Sequence, residues 1–197
     1  MIGNSLIHII LEALFPIHHS ERELASYGPE QAYDNLPPAP ATSLAHASAI
    51  FAYKDPCVTQ LVWSIKYKKS SHSVLIAGYA LYKTLTEKYC SDRESPVVII
   101  PIPISNRRRK ERGYNQCELL TDEIQRLDIT HRFTILNNAL IRSRHVSRQT
   151  LKNRTERLES TGGIFSTNEE VLDTIDRRSL IIIIDDVITT EIGRAHV

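Results

Sequence analysis

The chain has 197 residues, 42% of them hydrophobic, and a formal net charge of +1. That is enough apolar material for one good core, so one domain with an N-terminal extension is the default, and the near-neutral balance gives no global electrostatic argument for a nucleic-acid partner. Three cysteines, Cys57, Cys90 and Cys117, are odd in number and lack CxxC spacing, which indicates neither a disulfide framework nor a cysteine zinc site.

Residues 1–48 form the N-terminal region. Leu6, Ile10, Ala13 and Leu14 recur at helical spacing, and Pro16 helps to end that helix. The apolar run around them is interrupted by His8 and Glu12 and is too short to cross a bilayer. It lacks a basic n-region and a small-residue cleavage site, so the expectation is a cytoplasmic protein without a membrane partner. His18 and His19 are adjacent, their side chains diverge, and no further ligand spacing completes a metal set; they read as solvated loop histidines, with no zinc. Residues 27–41 contain Gly28, Asn35 and four prolines without sustained periodicity and read as an extended connector.

Beyond the connector the pattern becomes α/β. Residues 49–53 predict a strand, and residues 56–67 and 73–89 predict helices, the second with Leu75, Gly78, Leu81, Tyr82 and Leu85 along one side. Trp63, Tyr67 and Tyr114 have faces on which a base could stack, although aromatics at helical positions are more often core. Residues 96–102 predict an apolar strand that leads to Ser105, Asn106 and a basic run. Residues 107–112 hold five cations against one carboxylate, Glu111. Such a run is ordinarily a solvated helix start, but at the end of a strand its local field and the planar fork of arginine suit phosphate.

The most informative stretch is Leu180 to Thr190, LIIIIDDVITT. Its aliphatic run suits a strand covered on both faces in a parallel sheet flanked by helices. Ligands in such sheets bind beyond the carboxyl ends of the strands, where Asp185 and Asp186 emerge. An acidic pair can hold vicinal hydroxyls or a hydrated magnesium ion, and Thr189 and Thr190 can open a loop that wraps a phosphate. The order of groups fits a phosphorylated ribose.

These residues resemble the signature of type I phosphoribosyltransferases, in which a hydrophobic strand, two acidic residues and a Thr-Thr-Gly turn bind 5-phosphoribosyl 1-pyrophosphate (PRPP). Together with PIPI at residues 101–104, RRRKERGYNQ, and the later Arg142, Gln149, Glu156, Arg157, Gly163 and Phe165, they are similar in order and spacing to the ComF-like family of phosphoribosyltransferase-fold proteins. The resemblance spans residues 49–190, the stretch expected to form a phosphoribosyltransferase-like but incomplete domain. It departs from the family at Ser160, where asparagine is common, and in the missing four-cysteine zinc module after Leu14-Phe15-Pro16. The match also stops at Thr190. Residues 191–197, EIGRAHV, can be encoded by codons resembling the opening of a DNA-sequencing adapter, and the expectation is a non-native tail on a chain whose C-terminal part is missing.

The resemblance implies displacement of pyrophosphate from C1 of PRPP by a nitrogenous acceptor, or the reverse. Asp185 and Asp186 would hold the ribose hydroxyls directly or through Mg2+, and Val187, Ile188, Thr189 and Thr190 would lead into the 5′-phosphate loop. Ser105, Arg107 and Arg112 would sit near the pyrophosphate, and Arg144, Arg148, Gln149, Arg154 and Arg157 would belong to a basic lid. The adapter-like tail puts Glu191 where that loop takes glycine, so the chain as written is expected to bind PRPP poorly and to expose apolar surface. Two other readings stand beside the enzyme. One is a PRPP-sensing regulator; the other is an accessory factor of competence and DNA uptake, with single-stranded DNA or the competence machinery as partner.

Overall fold

The computed structural model describes residues 19–42, 44, 46–89, 95–142 and 164–187. The helix predicted around Leu6, together with His18, Cys90, the lid residues 144–157, Ile188, Thr189, Thr190 and the tail 191–197, lies outside the described residues.

Two short helices open the described chain, α1 (His19–Ser26) and α2 (Pro29–Asn35). The second lies inside the expected extended connector and corrects that reading. Pro29 occupies the first turn, where its missing N–H costs nothing, and the Gln31 side chain accepts from the Gly28 N–H at 3.1 Å. Residues 49–53 do not form a strand either: Phe51 makes only an isolated bridge to Pro38. His19 begins α1 rather than sitting in a loop, and its exposed ring lies 3.8 Å from Glu23.

α3 (Pro56–Trp63) starts at Asp55, whose carboxylate accepts from the N–H groups of Cys57 and Val58. It runs on into a π-helical turn, Ser64–Lys68, closed by Lys69 in the left-handed conformation. α4 (Ser71–Tyr89) follows close to the predicted bounds. Leu24, Ala32 and Leu36 join Val58, Leu61, Ile65, Ile76 and Leu120 in one buried cluster, so α1 and α2 share a core with the later helices. At Gly78 α4 packs tightly on Glu123: an added Cβ would lie 2.6 Å from Glu123 Cβ.

The architecture is α/β with a three-stranded parallel sheet. β1 (Val97–Pro101) is central, between β2 (Phe133–Ile135) and β5 (Leu180–Ile184). Val97 pairs with Leu180 and Pro101 with Ile184, which brings both strands to the same carboxyl edge. α5 (Asn106–Arg112) and α6 (Gln116–Leu127) connect β1 to β2. One sheet face packs Val97, Ile99, Phe133 and Ile184 against Leu85 of α4 and Ile124 of α6. On the other, Val98 and Ile100 meet Val171 and Leu172 of α7 (Glu169–Leu172).

β1 is buried along its length, as a parallel strand covered on both faces should be. β5 corrects the same expectation. It lies at the edge of the described sheet, and Ile181 and Ile183 are 48% and 54% exposed. They share a face with Val98 and Ile100, yet the apolar residues packed on that face gather around β1. A separate antiparallel pair, β3 (Leu140–Arg142) with β4 (Phe165–Thr167), places the Arg142 guanidinium 5.3 Å from the Phe165 ring centre. These are two of the residues in the resemblance, and they flank the segment expected to form the lid.

Candidate functional site

At the carboxyl edge, β1 passes through Ile102 to Ser105, while β5 ends directly in Asp185 and Asp186. The Ile102 N–H donates to the Ile184 carbonyl at 2.9 Å and holds the two exits side by side. The basic helix α5 and the acidic pair therefore open from one sheet edge, the arrangement in which α/β sheets bind ligands.

Local sequence explains how the neighbouring side chains arrive. Gly113 ends α5 at φ 79, a conformation that strains other residues, and reverses the chain. Asn115 then caps α6 by accepting from the Cys117 N–H, while its Nδ2 donates to the Ile102 carbonyl. Asn115 thus ties the start of α6 to the end of β1. Gln116 and Cys117, the first residues of α6, come to lie beside the acidic pair.

The two carboxylates are not equivalent. Asp186 is engaged at both oxygens: Lys66 Nζ lies 3.0 Å from Oδ1, and Gln116 Nε2 donates to Oδ2 at 2.8 Å. Asp185 Oδ1 accepts from the Asp186 N–H at 2.8 Å and more weakly from the Cys117 thiol at 3.8 Å. Among the described residues no hydrogen bond reaches Asp185 Oδ2. Desolvation raises the Asp185 carboxyl above its ordinary range, although the residue as a whole is exposed, because the carboxyl is set against the root of α6. The Asp186 N–H bond opposes that shift, the Asp186 charge adds to it, and Lys66 and Cys117 moderate it. Burial likewise pushes the Cys117 thiol far up, with the charges of Asp185 and Asp186 adding to the effect.

The arginine run divides by position. Arg112 reaches inward, with Nη1 donating to Gln116 Oε1 at 3.1 Å and its guanidinium 5.0 Å from the Tyr67 ring centre. A continuous polar chain therefore runs from Arg112 through Gln116 to Asp186 and Lys66. Arg107 is turned to an ion pair with Glu111 at 2.7 Å, and Arg109 pairs with Glu118. Ser105 is buried and caps α5, its Oγ accepting from the Arg108 N–H at 3.3 Å. Of the sequence-predicted residues, Asp185, Asp186 and Arg112 come together; Arg107 and Ser105 make other contacts.

Val187 and the acidic pair also line one end of a cavity of about 510 Å³. Its other walls are largely apolar, among them Val58, Leu61, Val62 and Ala80, with Ile50 and Phe51 from the preceding loop, and Thr42, Ser48, Tyr53 and Lys54 add polar groups. Outside it lies an aromatic patch. Trp63 and Tyr67 are 44% and 61% exposed, with ring centres 5.7 Å apart, and Lys68 stands 5.0 Å from the Trp63 ring. Their exposure removes the core reading that helical spacing favours. Tyr114 instead donates its hydroxyl to the Ile65 carbonyl at 2.8 Å.

Asn115 and Gln116 end the RRRKERGYNQ motif and Cys117 follows it, but the motif itself does not disclose their place at the acidic pair. Lys66 carried no signal, because it is delivered by a π-helical turn that periodicity does not disclose.

Comparison with known proteins agrees with part of this picture. The chain is 35% identical over 96 residues to Competence protein F of Haemophilus influenzae, covering 48% of this chain and 39% of that protein. It is 38% identical over 93 residues to Competence protein ComFC of Bacillus subtilis, covering 47% of this chain and 33% of the relative. These partial similarities support a ComF-like family. The matched stretches span between a third and two fifths of the relatives' length. No family model and no solved structure matches the chain.

Proposed function

We propose that this is a competence-related protein whose crevice binds a phosphorylated ribose such as PRPP, in a full-length form that transfers the phosphoribosyl group between pyrophosphate and a nitrogenous acceptor. The observation that carries the reading is the shared carboxyl edge: Asp185 presents an open carboxylate oxygen beside the basic end of α5. Carboxylates recognise vicinal hydroxyls, and arginine recognises phosphate. Asp185 and Asp186 offer the hard oxygen donors that Mg2+ takes; the ion would supply charge neutralisation for the pyrophosphate. Displacement at C1 builds positive charge on the ribose, so the chain's own contribution is to place negative charge beneath it and to orient the hydroxyls. The largely apolar cavity next to the pair, with polar groups from Ser48, Tyr53 and Lys54 in its lining, would receive the acceptor.

A second reading, handling of single-stranded DNA, is favoured by the patch of Trp63, Tyr67, Lys68 and Arg112, since exposed rings with adjoining cations suit unstacked bases and backbone phosphates. The similarity to two competence proteins favours that setting as well. Titration of a full-length form with PRPP plus Mg2+, and separately with a single-stranded oligonucleotide over a salt series, distinguishes the readings. The ribose reading expects Mg2+-dependent PRPP binding; steeply salt-dependent DNA binding without any PRPP binding would leave only the second.

A further inference from the structure

We infer that Lys66 is the resident counter-cation of the acidic pair: it holds Asp186 while the crevice lacks a divalent ion and leaves it when such an ion binds. This inference rests on the proposed role of the pair. Lys66 Nζ is 3.0 Å from Asp186 Oδ1, and the side chains are 22% and 11% exposed, so the contact is sheltered from screening. Gln116 already fills Asp186 Oδ2, which leaves Lys66 on the remaining oxygen of that carboxylate. A divalent ion held by the pair would draw on the same Asp186 charge that Lys66 now neutralises. The two cations therefore compete.

The element that carries Lys66 suits displacement. Its π-helical turn ends in a left-handed residue, Lys69, and the Ser70 N–H closes the turn on the Ser64 carbonyl at 3.2 Å, which lets Ile65 stay buried while Tyr67 faces outward. Lysine is a compact charge on a flexible stem and can swing away without moving this turn. Gln116 and Arg112 then keep Asp186 oriented, with Arg112 bonded to the carbonyl oxygen of Gln116.

Mn2+ serves as the probe, measured by calorimetry on the full chain without PRPP. Lys66→Met should bind Mn2+ about tenfold more tightly than wild type because a competing positive charge is gone, and Lys66→Arg should stay within about twofold. A merely structural ion pair predicts the opposite direction, since its loss would loosen Asp186 and weaken Mn2+. In wild type, adding Mn2+ should also speed acetylation of the Lys66 amine, a readout that needs no variant to fold. Unchanged or weaker Mn2+ binding in Lys66→Met, with Asp185→Asn still abolishing it, overturns the inference and leaves the pair's role intact. Mn2+ binding that ignores Asp185 in every protein overturns both.

Discussion

Asp185 and Asp186 are adjacent in sequence but carry different burdens. Asp186 is the anchor, joined to Lys66 and Gln116, whereas Asp185 offers the open oxygen. Gln116→Ala should therefore act through Asp186: it strands one buried carboxylate oxygen and frees Arg112, at a cost of about 1–3 kcal/mol in a urea melt. Charge at Asp185 opposes folding. Its carboxyl is raised in the folded chain, so the native state holds its proton more tightly than the unfolded state, and stability falls as pH rises from the ordinary carboxylate value through the folded one. Asp185→Asn should melt higher than wild type at pH 7, with the gap closing towards pH 4; a gap that grows on acidification would contradict this sign. The arginines separate in the same way. Arg112→Gln should weaken pyrophosphate binding roughly tenfold, and Arg107→Gln, which loses only an exposed pair with Glu111, about twofold or less in competition assays.

At the scale of elements, the join between α4 and α6 decides whether the carboxyl edge is held in place. Gly78→Ala gains about 1 kcal/mol of helix propensity, but the new methyl meets Glu123 near its backbone, where rotation cannot relieve it. Overpacking of that kind costs about 1–3 kcal/mol, so net destabilisation in chemical denaturation is expected. The longer elements were legible because their periodicity coincides with burial: the helix read over 73–89 and the strand over 96–102 appear within two residues of their bounds. α2 was hidden by its composition. Prolines signal a connector, yet Pro29 sits where a helix tolerates it and Ala32 is fully buried. The strand read at 49–53 failed because a short apolar run does not state whether a partner is available; Phe51 packs against the α1 to α4 cluster instead.

In the whole molecule, the acidic pair and the end of Arg112 were legible because motif order coincides with the strand ends of a parallel sheet. Lys66 was not, since its contact depends on how a distant helical turn is wound. The same sheet carries an exposed apolar edge at Ile181 and Ile183. Replacing both with threonine keeps β-branching while removing apolar surface, and should raise the concentration at which light scattering appears with a stability change within about 1 kcal/mol. No described helix is long and apolar enough to cross a membrane.

The central claim is that an open carboxylate at the end of β5 recognises a phosphorylated ribose. Calorimetric titration of PRPP with Mg2+ into a full-length form that carries the glycine-containing phosphate loop, as wild type and as Asp185→Asn, tests it most directly. Loss of a charge-assisted contact worth about 1.5–3 kcal/mol predicts that the variant binds at least tenfold more weakly while folding normally. Equal PRPP affinity in the two proteins would contradict the account.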